Sequence, residues 1–199
     1  MKYDFTELID RHGKDAMAVD AVGKLPGFAP SKPKEGFDTI PMWVADMNFP
    51  TAKSIQEAII KRAQHPLFGY FQPSDAYYQA IIDWHKKRKG VPGLTKEDIG
   101  YENGVLGGVV SALKVFAAPG DKVLLHSPTY MGFTNAVLSN GYQIVHSPLI
   151  KDENGTWRMD YEDMDKKIKE NQIHVAIFCN PHNPTGRVWT KEEITKAME

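Results

Sequence analysis

Asn180-Pro181-His182-Asn183-Pro184-Thr185-Gly186-Arg187 follows directly on the apolar run His174-Val175-Ala176-Ile177-Phe178-Cys179. The run has the length and β-branched content of a strand covered on both faces, the kind found inside parallel sheets. The octapeptide after it combines two prolines, two asparagines and a glycine, so its backbone is stiff and sharply turned. It holds a side-chain amide at the end of a strand, which is where open α/β sheets bind their ligands. A turn that merely reverses the chain has no need of a repeated Asn-Pro pair. Asn183 is therefore a candidate hydrogen-bond donor to a phenolic oxygen of a bound ring.

The same grammar extends upstream. Pro119-Gly120-Asp121 predicts a turn, Lys122 to His126 a strand, Tyr130 to Leu138 a helix ended by Asn140-Gly141, and Tyr142 to His146 another strand. Lys151 to Thr156 reads as a polar hairpin excursion and Asp160 to Asn171 as a surface helix. Ile99 to Glu102 reads as a short strand entering the glycine turn Asn103-Gly104-Val105-Leu106-Gly107-Gly108, with a helix from Val105 to Phe116. Strands separated by helices predict an α/β fold, a mostly parallel sheet with flanking helices.

Two more strand-end loops are candidates. The glycine turn is either a tight turn and nothing more, or an anion cradle made by unpaired helix N–H groups. It matches neither a Walker A sequence nor GxGxxG. Tyr130, after Ser127-Pro128-Thr129, either packs on the core or offers its face to a ligand. Taken with Asn183, the three loops can share one site holding an anion cradle, a stacking ring and a donor. That set suits a phosphorylated aromatic cofactor.

Residues 1 to about 40 carry Gly23, Pro26, Gly27, Pro30, Pro33 and Gly36 with little periodicity, which predicts an extended arm with one short helix. The division expected is residues 1–50 as an N-terminal arm or small-domain segment and residues 51–199 as the N-terminal part of the large domain. Ile55, Ala58, Ile59 and Ala63 recur at helical spacing before Pro66. A second helix starts near Ser74, with Tyr77, Tyr78, Ile81, Ile82 and Trp84 on its apolar side. It closes on Lys86-Lys87-Arg88-Lys89-Gly90, with cations in the last turn and glycine at the cap. Thr190-Lys191-Glu192-Glu193 is a capping box opening a helix close to residue 199, so the chain is expected to be cut short.

With 42% apolar and 25% charged residues and a net charge of −1, the composition gives no electrostatic case for nucleic acid or an anionic membrane. One cysteine, Cys179, forbids an internal disulfide and fits a reducing compartment. Neither an apolar leader nor a run long enough to cross a bilayer is visible, so a soluble, cytoplasmic protein is expected. The histidines show no metal-ligand spacing.

From Pro41 onward the sequence resembles the fold type I enzymes of pyridoxal 5'-phosphate (PLP), the class I/II aminotransferase superfamily. More closely it is similar to the MalY/PatB subgroup of cystathionine β-lyases and related carbon–sulfur lyases. The resemblance rests on Met42-Trp43-Val44-Ala45-Asp46-Met47-Asn48-Phe49-Pro50, Phe68-Gly69-Tyr70, Asn103-Gly104-Val105-Leu106, Ser127-Pro128-Thr129-Tyr130 and Asn180 to Trp189. It implies the large domain of a PLP-dependent transferase-like fold, incomplete here and preceded by the arm. Backbone amides of Val105 and Leu106 would hold the phosphate, Tyr130 would stack on the ring, and Asn183 would bond the ring's phenolic oxygen. Tyr70 would reach the phosphate of a second subunit, making the site a property of a homodimer. Ala45 would line the pocket for the carboxylate of a small amino-acid substrate.

Two positions depart from the pattern: Asn48 replaces a frequent aspartate, and Gly107-Gly108 replace bulkier residues and would loosen the helix start. The resemblance also implies that the Schiff-base lysine, the aspartate facing the pyridine nitrogen and the carboxylate-binding arginine come after residue 199. Hence no residue here is assigned a catalytic role, and none a metal. The implied reaction expels a β-thiolate and ends in pyruvate and ammonia. The alternatives are transamination by the same loops, or an inactive piece lacking its lysine.

Overall fold

The computed structural model describes residues 3–199. The chain divides into two compact units, one ending at Pro73 and the other running Ser74–Glu199.

In the first unit the arm has the one short helix expected, α1, Met17–Asp20. The rest is not an extended segment but a series of turns and irregular backbone, with the Ala29 N–H bonding the Leu25 carbonyl and the Gly23 N–H the Pro30 carbonyl. Trp43 secures the segment that follows: its indole N–H donates to the Ala18 carbonyl at 3.0 Å, and its ring meets Phe28 edge-on at 5.5 Å. The Arg11 guanidinium pairs with Asp46 and donates to the Asn48 amide oxygen, the latter at 2.9 Å. Helix α2, Lys53–Ala63, forms where the periodicity predicts it. Its Ile55 and Ile59 are nonetheless more than half exposed. The pattern fixed the helix, not a partner for its apolar face.

The second unit opens with α3, Asp75–Lys89. The Ser74 hydroxyl accepts from the Tyr77 N–H, and Gly90, at φ 63°, supplies the left-handed end that a side chain would resist. Lys96–Asp98 forms a 3-10 turn under a Thr95/Asp98 capping box. The strand expected at Ile99 to Glu102 is absent. That backbone is extended at Ile99 but has no strand to pair with among the described residues.

Helix α4, Gly104–Phe116, leads into β1, Lys122–Ser127; α5, Met131–Ser139, leads into β2, Gln143–Pro148. A two-stranded antiparallel hairpin follows, β3 (Ile150–Lys151) and β4 (Trp157–Arg158), folded around Asp152, whose carboxylate accepts from the Asn154 and Thr156 amides. Then come α6 (Tyr161–Asn171), β5 (Val175–Ile177) and α7 (Lys191–Met198). The sheet order is β2-β1-β5, all parallel, with Leu125 opposite both His146 and Ile177.

Alternation along β1 builds both cores. Val123 and Leu125 face α4 and α5 in a cluster with Leu113, Val137 and Tyr142. Leu124 points the other way, to Met164 of α6, Trp189 and Ile194 of α7. His126 shares that second face, against Phe178 and His182. Strand β5 is shorter and less covered than its composition implies: three residues, with Ala176 exposed. Its apolar run predicts a central strand, whereas among the described residues it pairs only with β1.

Candidate functional site

Strands β1 and β5 are parallel neighbours, so the loops after them leave the same end of the sheet. Helix α4 precedes β1 by a short turn and runs back against it, which brings its N-terminus to that end as well. Ligands bind at this end of parallel sheets.

The opening of α4 is a bare set of donors. Gly104 takes φ 78°, and the Asn103 side chain makes no cap. The Val105 and Leu106 amides, in the first turn, have no carbonyl four residues back within the helix. Here N–H groups and the helix dipole both favour an anion. The Glu102 carboxylate already leans over this turn, its Oε2 lying 3.4 Å from where a Cβ on Gly107 would stand.

Tyr130 is the N-cap residue of α5 and keeps 41% of its surface exposed, with Phe133 edge-on at 5.4 Å. Its ring lies across Gly132, where a Cβ would come within 2.3 Å of Tyr130 Cε1 and 3.0 Å of Leu106 Cδ1. The glycine thus lets Tyr130 and the start of α4 share one small space.

The loop after β5 is braced from within. The His182 N–H donates to the Arg187 carbonyl and the Gly186 N–H to the His182 carbonyl, both at 2.7 Å. The Asn180 side-chain oxygen accepts from the Trp189 N–H at 3.1 Å, and the Trp189 indole donates to the Cys179 carbonyl at 3.0 Å. Asn180 is therefore occupied in holding the turn. Asn183 is exposed and its amide bonds nothing among the described residues. The Ser127–Pro128, Asn180–Pro181 and Asn183–Pro184 peptide bonds are cis. Outside the turn, Arg187 donates to the Trp157 carbonyl at 2.8 Å and to Glu193.

Residues not nominated from sequence connect the loops. His182 is buried, and its Nε2 lies 2.9 Å from the Pro128 carbonyl oxygen. His126 is buried beside it, ring centroids 6.2 Å apart. Desolvation holds the His126 pKa below 6.5; a Ser147 backbone bond opposes this and the nearby His182 adds to it. The one signal for His182 was its place inside the rigid turn. Its partner, more than fifty residues earlier, has no trace in local sequence.

Val105, Leu106, Tyr130 and Asn183 thus all lie at one end of the sheet. Tyr70 and Ala45 belong to the first unit, where both are exposed. Among the described residues no cluster of His, Cys, Asp or Glu is arranged to hold a metal, and no helix is long and apolar enough to cross a membrane.

Comparison with known proteins agrees with this architecture. Cystathionine beta-lyase PatB of Bacillus subtilis is 35% identical over 100% of this chain and 48% of its own length. The PLP-bound C-S lyase of Staphylococcus hominis superposes with a TM-score of 0.80 at 35% identity, covering 98% of this chain and 46% of that one. Glutamate-pyruvate aminotransferase AlaA of Escherichia coli is 34% identical over 66% of this chain and 32% of its own length. The chain spans about half the length of the first curated relatives it matches. The family model for aminotransferase class I and II matches residues 39–199, the stretch that contains every loop described above, and the chain belongs to that family.

Proposed function

We propose that this chain supplies the cofactor-gripping loops of a PLP-dependent carbon–sulfur β-lyase of the cystathionine β-lyase type, acting on sulfur-containing amino acids. The observation that carries this is the meeting of an uncapped helix start, a half-exposed tyrosine and an uncommitted asparagine amide at one end of a parallel sheet. The residues fit a phosphorylated ring: the α4 amides want an anion, and Gly132 leaves room for Tyr130 to lie flat beside them.

The Val105 and Leu106 amides bind the phosphate. Tyr130 covers one face of the ring and excludes water from it, and Asn183 donates to its phenolic oxygen. Tyr70 serves the phosphate of the partner's site in a homodimer, and the backbone at Ala45 orients the substrate carboxylate. When bound, PLP supplies an electron sink for charge developing at the substrate's Cα. The near-neutral charge and single cysteine favour a cytoplasmic setting.

Titration of the chain with PLP, followed by tryptophan fluorescence, tests the grip. A saturable change is expected, weakened up to about tenfold in Asn183→Ala, the size of one hydrogen bond to the ring. Equal affinity in the variant counts against the assignment. A second reading, transamination, is favoured by the likeness to AlaA. Protein expressed from the complete gene distinguishes them: pyruvate, ammonia and thiol from cystathionine without an oxo-acid acceptor mark the lyase, and acceptor-dependent turnover marks the aminotransferase.

A further inference from the structure

We propose that His182 is a positioning residue that fixes the loop carrying Asn183 against the loop carrying Tyr130. The inference deepens the functional reading above and rests on it for what the two loops hold, while the tie itself can be measured without any cofactor.

His182 is only 2% exposed, although both chain neighbours, Pro181 and Asn183, are exposed. Its backbone closes the turn at both ends, through Arg187 and Gly186. Its ring leaves that turn and bonds the Pro128 carbonyl at 2.9 Å, packed against Trp189 at 5.7 Å and His126 at 6.2 Å. A carbonyl can only accept, so Nε2 carries the hydrogen. Nδ1 is buried with no protein partner among the described residues, which leaves that tautomer unopposed.

Asn183 is the next residue along, and Tyr130 is two residues beyond Pro128. If either loop slid past the other, the buried ring N–H of His182 would lose its one acceptor, the Pro128 carbonyl. One bond therefore sets the spacing between the amide and the aromatic face.

Two variants test this. His182→Leu keeps bulk without a donor, and His182→Gln returns an N–H donor near the Nε2 position. Hydrogen exchange is read at Phe133 and Leu149, whose amides bond the Tyr130 and Ser127 carbonyls. Exchange about tenfold faster is expected in the leucine variant, returning to within about threefold of wild type in the glutamine variant. PLP affinity is expected to follow the same order. Unchanged exchange in the leucine variant, or no recovery in the glutamine variant, overturns the proposal.

If exchange follows the expected order while the wild type binds no PLP, the tie stands and the functional reading fails. If the wild type binds PLP and all three proteins behave alike, the reverse holds. Should the leucine variant not fold, nitrogen–proton correlation spectra of the wild type decide. A proton on Nε2 of His182 is expected, and one on Nδ1 refutes the assignment.

Discussion

Nη2 of Arg187 lies 2.6 Å from both carboxylate oxygens of Glu193, joining the end of the Asn180 to Arg187 turn to the first turn of α7. The same carboxylate accepts from Arg158 of β4 at 2.8 Å and from the Thr190 N–H, also at 2.8 Å. The loop that carries Asn183 is thus anchored to a hairpin and a helix cap through one acidic residue.

Replacing Glu193 by Gln is expected to lower stability by about 1 kcal/mol, since the group is well covered but its partners are partly solvated. Thermal unfolding measures this. Burial raises the Glu193 pKa, and the Thr190, Arg158 and Arg187 bonds outweigh it, leaving the net value below 4.5. A depressed carboxylate pKa stabilises the fold above the unfolded value, and the gain is lost as pH falls through the folded one. Unfolding midpoints of wild type and variant should therefore converge on acidification below about pH 4.5. A constant gap down to about pH 3 would contradict the assigned role.

His126 gives a second pH dependence, at higher pH. Its pKa is lowered mainly by desolvation, so the unfolded chain takes up a proton that the folded chain refuses. Stability contributed by the neutral ring is complete above 6.5 and declines as pH falls below it. Between about pH 7 and pH 5, wild type should lose more stability than His126→Phe, measured by urea denaturation. Parallel losses would place the titrating group elsewhere.

Gly132→Ala separates site geometry from stability. The new Cβ cannot coexist with Tyr130 Cε1 at 2.3 Å, but that ring is partly exposed and free to swing. The gain in helix propensity, about 1 kcal/mol, offsets the crowding, so the unfolding midpoint should barely move. PLP affinity should nevertheless fall by about tenfold or more if Tyr130 stacks on the cofactor as proposed, because its ring would be displaced. Unimpaired binding would remove Tyr130 from the site.

Much of the α/β plan was legible because its signals are local. Ser74 and Gly90 bracket α3, the Thr190/Glu193 box opens α7, and the apolar residues of β1 and β2 mark two paired strands. The failures involve partners. Ile99 to Glu102 looks like a strand, but pairing is not a property of one segment. His174 to Cys179 reads as a central strand, but its burial depends on what lies beside it. Residue types singled out the Asn103 to Gly108 turn, Tyr130 and Asn183, and the resemblance added the Val105 and Leu106 amides; the structure puts these residues at one end of the sheet. The bond from His182 to Pro128 and that from Arg158 to Glu193 were invisible because each joins residues far apart in the chain.

Gly107 and Gly108, in the first two turns of α4, meet nothing that would exclude a methyl group, the nearest atoms standing at 3.4 and 3.9 Å. No packing constraint requires glycine at either place, and each weakens the helix by about 1 kcal/mol relative to alanine. The consequence is a gripping end that is helical from Gly104 yet holds little stability of its own, so an anion on its amides would add to that stability. A ligand held there would stiffen the segment it touches, and alanine at either glycine would supply part of that stiffness in advance.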